Sequence, residues 1–331
     1  MEKLFELRRR TFDTPHFRGI EFIEVEAKSI INHVPGNYLP FSWTINAYRG
    51  CSHACVYCFA RTTHTYLDMN AGRDFDSKIV VKVNAPEVLR KDLRAKKWTG
   101  EHIAMGTSTD PYQRAEGRYK LTQQIIETLL EFRNPFSILT KGTLILRDLD
   151  LLVEASKAME ISTAFSIGTL DEEVWRTTEP GTPHPRKRIE AVARLNAAGI
   201  PCGVLIAPVL PGISDSEAQL REVVTAAIDA GATHVSPILL HLRPVVRDVY
   251  MAWLRETYPD LVPRYDEMYR KAYGPSHDRN ALGRMVSGIV SGHGGLKSHR
   301  SLRARATERR RRAARAAQEA QRLKGEQLTL V

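Results

Sequence analysis

Cysteine is scarce in this sequence: four in 331 residues, three of them between positions 51 and 58. Such usage excludes a secreted disulfide scaffold and points to metal ligation or redox chemistry in a reducing compartment. Long apolar runs are also missing. None approaches the roughly 18 residues of a membrane span, and the opening MEKLFELRRRTF carries charges where a signal peptide needs an apolar stretch. A cytoplasmic setting without a membrane anchor is the resulting expectation. No period of roughly 20–50 residues recurs, which sets aside solenoids and propellers. Acidic charge is nearly absent from one region: eleven Lys/Arg face only Glu308 and Glu319 over residues 297–324, so the basic excess of the chain belongs to its C-terminal tail.

What is present is a strand-then-helix rhythm. Apolar runs rich in β-branched or aromatic residues occur at 42–48, 102–107, 136–140, 161–167, 202–207 and 233–239, each followed by a helical pattern. Leu121, Ile125, Leu129 and Phe132, and later Ile189, Val192, Leu195 and Ala198, show the three- and four-residue spacing of an amphipathic helix. Six such units predict an α/β fold, a partial (β/α)6 TIM-like barrel of parallel strands over residues 41–275, with functional residues at the C-terminal ends of the strands. Residues 79–83 and the helical stretch after them read as an insertion between the first two units. Residues 1–40 read as an N-terminal extension, 276–298 as a Gly/Ser-rich linker, and 299–331 as a basic tail, helical or disordered, that orders on a partner.

Directly after the first strand, Cys51, Cys55 and Cys58 stand as C-x3-C-x2-C. Three thiolates on one loop can hold three corners of a [4Fe-4S] cubane and leave the fourth iron open for a ligand. The alternative is a zinc knuckle with His53 or a distant residue as fourth ligand. It lacks a second C-x2-C or H-x3-H pair, and Cys202 stands alone on an apolar strand, where a packed core thiol is expected.

The spacing, Tyr57 beside the third cysteine and the position after strand one resemble the radical S-adenosylmethionine (SAM) superfamily. Within it, Lys28–Asn32, Asn46–Cys51, Gly106–Gln113, Thr140–Gly142, Arg147-Asp148, Ser166–Asp171, Glu179-Pro180 and Ala207–Gly212 resemble the spore photoproduct lyase-like branch, often labelled DNA repair photolyases. The resemblance covers about residues 20–270. It implies a [4Fe-4S] cluster on Cys51, Cys55 and Cys58, SAM on the open iron, and reductive cleavage of SAM to a 5′-deoxyadenosyl radical. It further implies SAM contacts from Gly106 and Thr107 (amino group), Tyr57 (adenine), Lys141 (carboxylate) and Ser166 (ribose), and an electron donor such as flavodoxin or ferredoxin. Asp110, Tyr112 and Gln113 are candidates for the substrate mouth, as are His184, Arg186, His241 and Arg243. The pattern breaks at one point. The stretch GTSTDPYQ has no cysteine where spore photoproduct lyase carries its hydrogen donor, so the lyase reaction does not transfer with the resemblance.

The substrate expected is nucleic acid, with a peptide, a small molecule or a non-enzymatic iron-sulfur nucleic-acid-binding role as alternatives. The basic tail supports nucleic acid, since a block of Lys/Arg neutralises phosphates without reading sequence. The final Gln327-Leu328-Thr329-Leu330-Val331 resembles the Gln-Leu-x-Leu-Phe peptides that dock on the DNA sliding clamp.

Overall fold

Eleven strands form two sheets in the computed structural model, which describes residues 8–36 and 39–296. The larger sheet is built from β3 (Ile31–His33), β4 (Trp43–Ile45), β7 (Ile103–Met105), β8 (Phe136–Thr140), β9 (Ile161–Ser166), β10 (Cys202–Val209) and β11 (Val235–Leu239), in the order β11-β10-β9-β8-β7-β4-β3. All neighbours from β4 to β11 are parallel, and β3 adds an antiparallel edge. Six parallel strands in chain order with helical crossovers make the partial TIM-like barrel expected from the sequence.

The helices cover this sheet with the stripes read from their spacing: Leu121, Ile125 and Leu129 in Leu121–Glu131, and Val192 and Leu195 in Pro185–Ala197, are all fully buried in one continuous core. Cys202 is buried in that same core, and burial pushes its thiol up to about 12.

The smaller sheet has the order β1-β2-β6-β5, from β1 (Arg8–Thr11), β2 (Glu21–Val25), β5 (Tyr48–Arg49) and β6 (Lys78–Lys82). The stretch expected as one strand over 42–48 therefore divides between two sheets. Its break lies at Asn46, whose side chain accepts from the Ser108 N–H at 3.1 Å while its carbonyl accepts from the Lys82 ammonium at 2.9 Å. The residues read as an insertion, 79–83, supply β6, which pairs with both β2 and β5 and so joins the N-terminal strands to the base of the cysteine loop.

One expectation is corrected. Residues 276–292, read as part of a Gly/Ser-rich linker, form the helix Ser276–Gly292, with Leu282, Val286 and Ile289 buried in the main core. Their spacing of four and three residues is a helical stripe. Gly283, Gly288 and Gly292 face open space, so these glycines neither break the helix nor serve its packing. The remainder of the proposed linker from residue 297, and the tail at 299–331, lie outside the described residues.

Because Ile289 is buried at 4% exposure, Ile289→Ala removes three buried carbons and leaves a cavity. A loss of about 2–4 kcal/mol is expected, measured by urea unfolding monitored through tryptophan fluorescence.

Candidate functional site

The loop that follows β5 begins at Gly50, whose φ of +85° and lack of a side chain are both required: a Cβ there would lie 2.8 Å from the His64 ring and 3.0 Å from the Lys78 carbonyl. Beyond Gly50 the chain has almost no regular structure until Phe59, and its polar groups are held from outside. The Cys51 N–H donates to the Phe75 carbonyl at 3.0 Å. Gln113 accepts from the Ser52 N–H at 3.0 Å and donates to the Gly50 carbonyl at 2.9 Å. The Val56 N–H donates to Thr178, and the Gly181 N–H to His53, each at 3.0 Å. Arg61, fully buried, donates twice to the Cys55 carbonyl, to the Ala71 and Gly72 carbonyls, and to the Asp76 carboxylate.

Cys51, Cys55 and Cys58 all line one cavity at the C-terminal end of the sheet, about 930 Å³ in volume counting its open mouth. They form no disulfide. Burial pushes all three thiols up, Cys51 further through Asp110 and Cys55 further through Glu179. Thiolates in such a setting need a cation to bind. Among the described residues no three His, Cys, Asp or Glu side chains converge as ligands of a single metal ion. His53, the fourth ligand of the zinc alternative, turns its Nδ1 toward Asp110 at 3.4 Å. Three thiols on one loop at this cavity have the ligand chemistry of an iron-sulfur cluster.

Gly106, Thr107, Lys141, Ser166 and Tyr57 line the same cavity. Gly106 ends β7 with a φ of +90°, and a Cβ would lie 1.9 Å from the Leu139 carbonyl. Strand packing by itself therefore demands this glycine. Lys141 directs its ammonium to Ser166 Oγ at 2.6 Å, Glu179 Oε1 at 3.0 Å and the Ala207 carbonyl at 3.4 Å, which uses all three of its protons. The Tyr57 hydroxyl donates to Glu179, and the Lys141 ammonium lies 5.5 Å from the centre of its ring.

Asp110 also lines the cavity. It accepts from the Thr140 hydroxyl and the Lys141 N–H, each at 2.6 Å, and from the Tyr112 N–H at 2.8 Å. Burial alone would raise its carboxyl, but His53 and these donors outweigh burial and hold it below the usual carboxylate range.

Of the other mouth candidates only His241 lines the cavity, flanked by Phe59 and Tyr273. Tyr112 and Gln113 are buried behind it, on Asp148 and on the cysteine loop. His184 caps the helix Pro185–Ala197, accepting from the Arg186 N–H at 3.2 Å, and packs on Trp175. Arg186 pairs with Glu222 on the surface, and Arg243 is exposed outside the cavity lining. Tyr112, Gln113, His184 and Arg186 thus each have a local structural task.

Sequence reasoning missed Glu179 and Arg188 as a charge pair. Arg188 binds Glu179 Oε2 at 2.5 Å with both side chains buried. A signal was available: Arg188 shares the helix face of Ala191, Val192 and Leu195, where a charge has no business unless it is paired.

The Radical SAM superfamily model matches residues 45–224. An uncharacterised Mycobacterium tuberculosis protein is 47% identical over 293 residues, covering 88% of this chain and 86% of its own. An uncharacterised Methanocaldococcus jannaschii protein is 34% identical over 206 residues, 61% of this chain and 73% of its own. Among solved structures, spore photoproduct lyase with bound AdoMet and dinucleoside spore photoproduct superposes with a TM-score of 0.59 at 18% identity, covering 78% of this chain and 76% of that one. The sequence match and the barrel with three thiols at its mouth agree: this chain belongs to the radical SAM superfamily, as an enzyme of that class with a fold like that of spore photoproduct lyase.

Proposed function

We propose that this enzyme reductively cleaves SAM at a [4Fe-4S] cluster held by Cys51, Cys55 and Cys58, and that the radical so formed acts on nucleic acid. The observation that carries the reading is three thiols, two buried and the third half-buried, and the half-buried ammonium of Lys141 around one cavity at the C-terminal end of a parallel sheet. Cys51, Cys55 and Cys58 would hold the cluster, which would supply one-electron reduction of the SAM sulfonium and so a 5′-deoxyadenosyl radical able to take a hydrogen atom from the substrate.

The chain's own part is orientation and exclusion of water. Lys141 would meet the SAM carboxylate by exchanging one of its present partners, and Ser166, at the end of β9, would offer a hydroxyl to the ribose. The backbone at Gly106 and Thr107 serves the amino group, and Tyr57 packs beside the adenine. The superposed lyase, which has AdoMet and a dinucleoside photoproduct bound, supports both SAM and a nucleic-acid substrate. The missing cysteine in GTSTDPYQ weighs against the same reaction and its hydrogen donor. A low-potential donor such as flavodoxin or ferredoxin supplies the electron. The basic tail holds nucleic acid by its phosphates, and Gln327 to Val331 docks on the sliding clamp.

Anaerobic reconstitution followed by dithionite tests the chemistry. Cys51→Ala, Cys55→Ala and Cys58→Ala are each expected to abolish 5′-deoxyadenosine formation and the cluster absorbance near 400 nm, while Cys202→Ala retains both. Lys141→Met is expected to keep the cluster but weaken SAM binding roughly 10- to 100-fold, the worth of one charged hydrogen bond, measured by equilibrium dialysis. Binding of the full chain to duplex DNA is expected to fall about 10³-fold between 50 and 200 mM salt. Removing residues 299–331 is expected to flatten that slope, as fluorescence anisotropy would report.

A further inference from the structure

Glu179 follows the helix Glu172–Thr178 and sits behind the cysteine loop, outside the cavity lining. The segment 178–182 is fastened to that loop at three points: Val56 N–H to the Thr178 carbonyl, Gly181 N–H to the His53 carbonyl, and the Tyr57 hydroxyl to the Glu179 carboxylate. The approach is close enough that a Cβ on Gly181 would lie 2.1 Å from the Ser52 carbonyl oxygen. The carboxylate is also pinned on its far side by Arg188 at 2.5 Å and Lys141 at 3.0 Å, and only 4% of its side chain is exposed. Burial alone would raise its carboxyl, but Arg188 and Lys141 outweigh burial and keep it ionised.

A fixed buried charge acts on its neighbours with little screening. Tyr57, whose hydroxyl donates to the Glu179 carboxylate, stands between Cys55 and Cys58 on the loop, and Lys141, another of its partners, lines the cavity with the three thiols. A negative charge so placed opposes further negative charge on a cluster held by those thiols. Charge and hydrogen bonding around the ligating sulfurs are the protein's means of setting the potential of an iron-sulfur cluster.

We propose that Glu179 is a redox-tuning residue: its carboxylate, held behind the cysteine loop by Tyr57, makes the cluster harder to reduce and so a stronger reductant toward SAM, with Lys141 and Arg188 limiting the effect. This inference rests on the cluster reading above.

The test is a redox titration of the anaerobically reconstituted full chain, poised with dithionite and mediators, with the reduced-cluster EPR signal followed against potential. Glu179→Gln removes the charge, keeps the shape and can still accept from the Tyr57 hydroxyl. It is expected to shift the midpoint to a more positive potential and to slow 5′-deoxyadenosine formation per reduced cluster. Tyr57→Phe removes the hydrogen bond but keeps the charge, and is expected to move the midpoint less. Arg188→Gln removes a cation and is expected to move it to a more negative potential. A Glu179→Gln protein that carries the cluster and titrates at the wild-type midpoint overturns the proposal, as does a Tyr57→Phe shift of the same sign and size, which would mark a merely structural role. Should Glu179→Gln fail to fold, an unchanged midpoint in Arg188→Gln overturns it. A wild-type chain that takes up no cluster overturns the cluster reading itself, which separates the two failures.

Discussion

A buried loop with scarcely any helix or strand of its own must find outside partners for its backbone N–H and C=O groups, and residues 50–61 depend on that demand being met. Arg61 meets it from within the loop's own end by binding the Cys55, Ala71 and Gly72 carbonyls. Gln113, the Phe75 carbonyl and the 178–182 segment meet it from three other parts of the chain. The three thiols are consequently positioned by residues far away in sequence. The loop and the barrel end form one unit rather than a ligand set appended to a scaffold.

The charges at the site fall into two groups that share Lys141. Asp110 gathers His53, the Thr140 hydroxyl and the Lys141 N–H, tying the cysteine loop to the ends of β7 and β8. Glu179 gathers Lys141, Arg188 and Tyr57, tying the same loop to the ends of β8 and β9. Burying such groups is costly unless each is paired and hydrogen-bonded, and both groups satisfy that condition. The second group retains one cation in excess, which suits a site whose expected occupants are a carboxylate and a ring of thiolates.

Most of this architecture was legible because parallel strands buried on both faces read as short apolar runs, and five of the six runs match single strands. The exception, 42–48, failed at Asn46. There a side-chain hydrogen bond turns the chain from one sheet to the other, and hydropathy carries no trace of it. The helix Ser276–Gly292 was hidden by its glycines, whose breaker weight masked the Leu282, Val286 and Ile289 stripe. In the site, spacing and resemblance single out the cysteines, Lys141 and Ser166, and the structure brings them to one cavity. Glu179 and Arg188 become partners only when two distant segments meet. His184 and Arg186 looked like candidates because residue type alone does not show that an imidazole is capping a helix.

The helix Ser276–Gly292 is fastened at its end to the flank of the barrel. His293, just past its end, hydrogen-bonds Thr225 at 3.0 Å. Thr225 lies eight residues into the helix Glu217–Asp229, about 12 Å from its start. No residue of the helix Ser276–Gly292 lines the cavity, so its packing covers the β11 side of the barrel without narrowing the mouth through which a substrate enters.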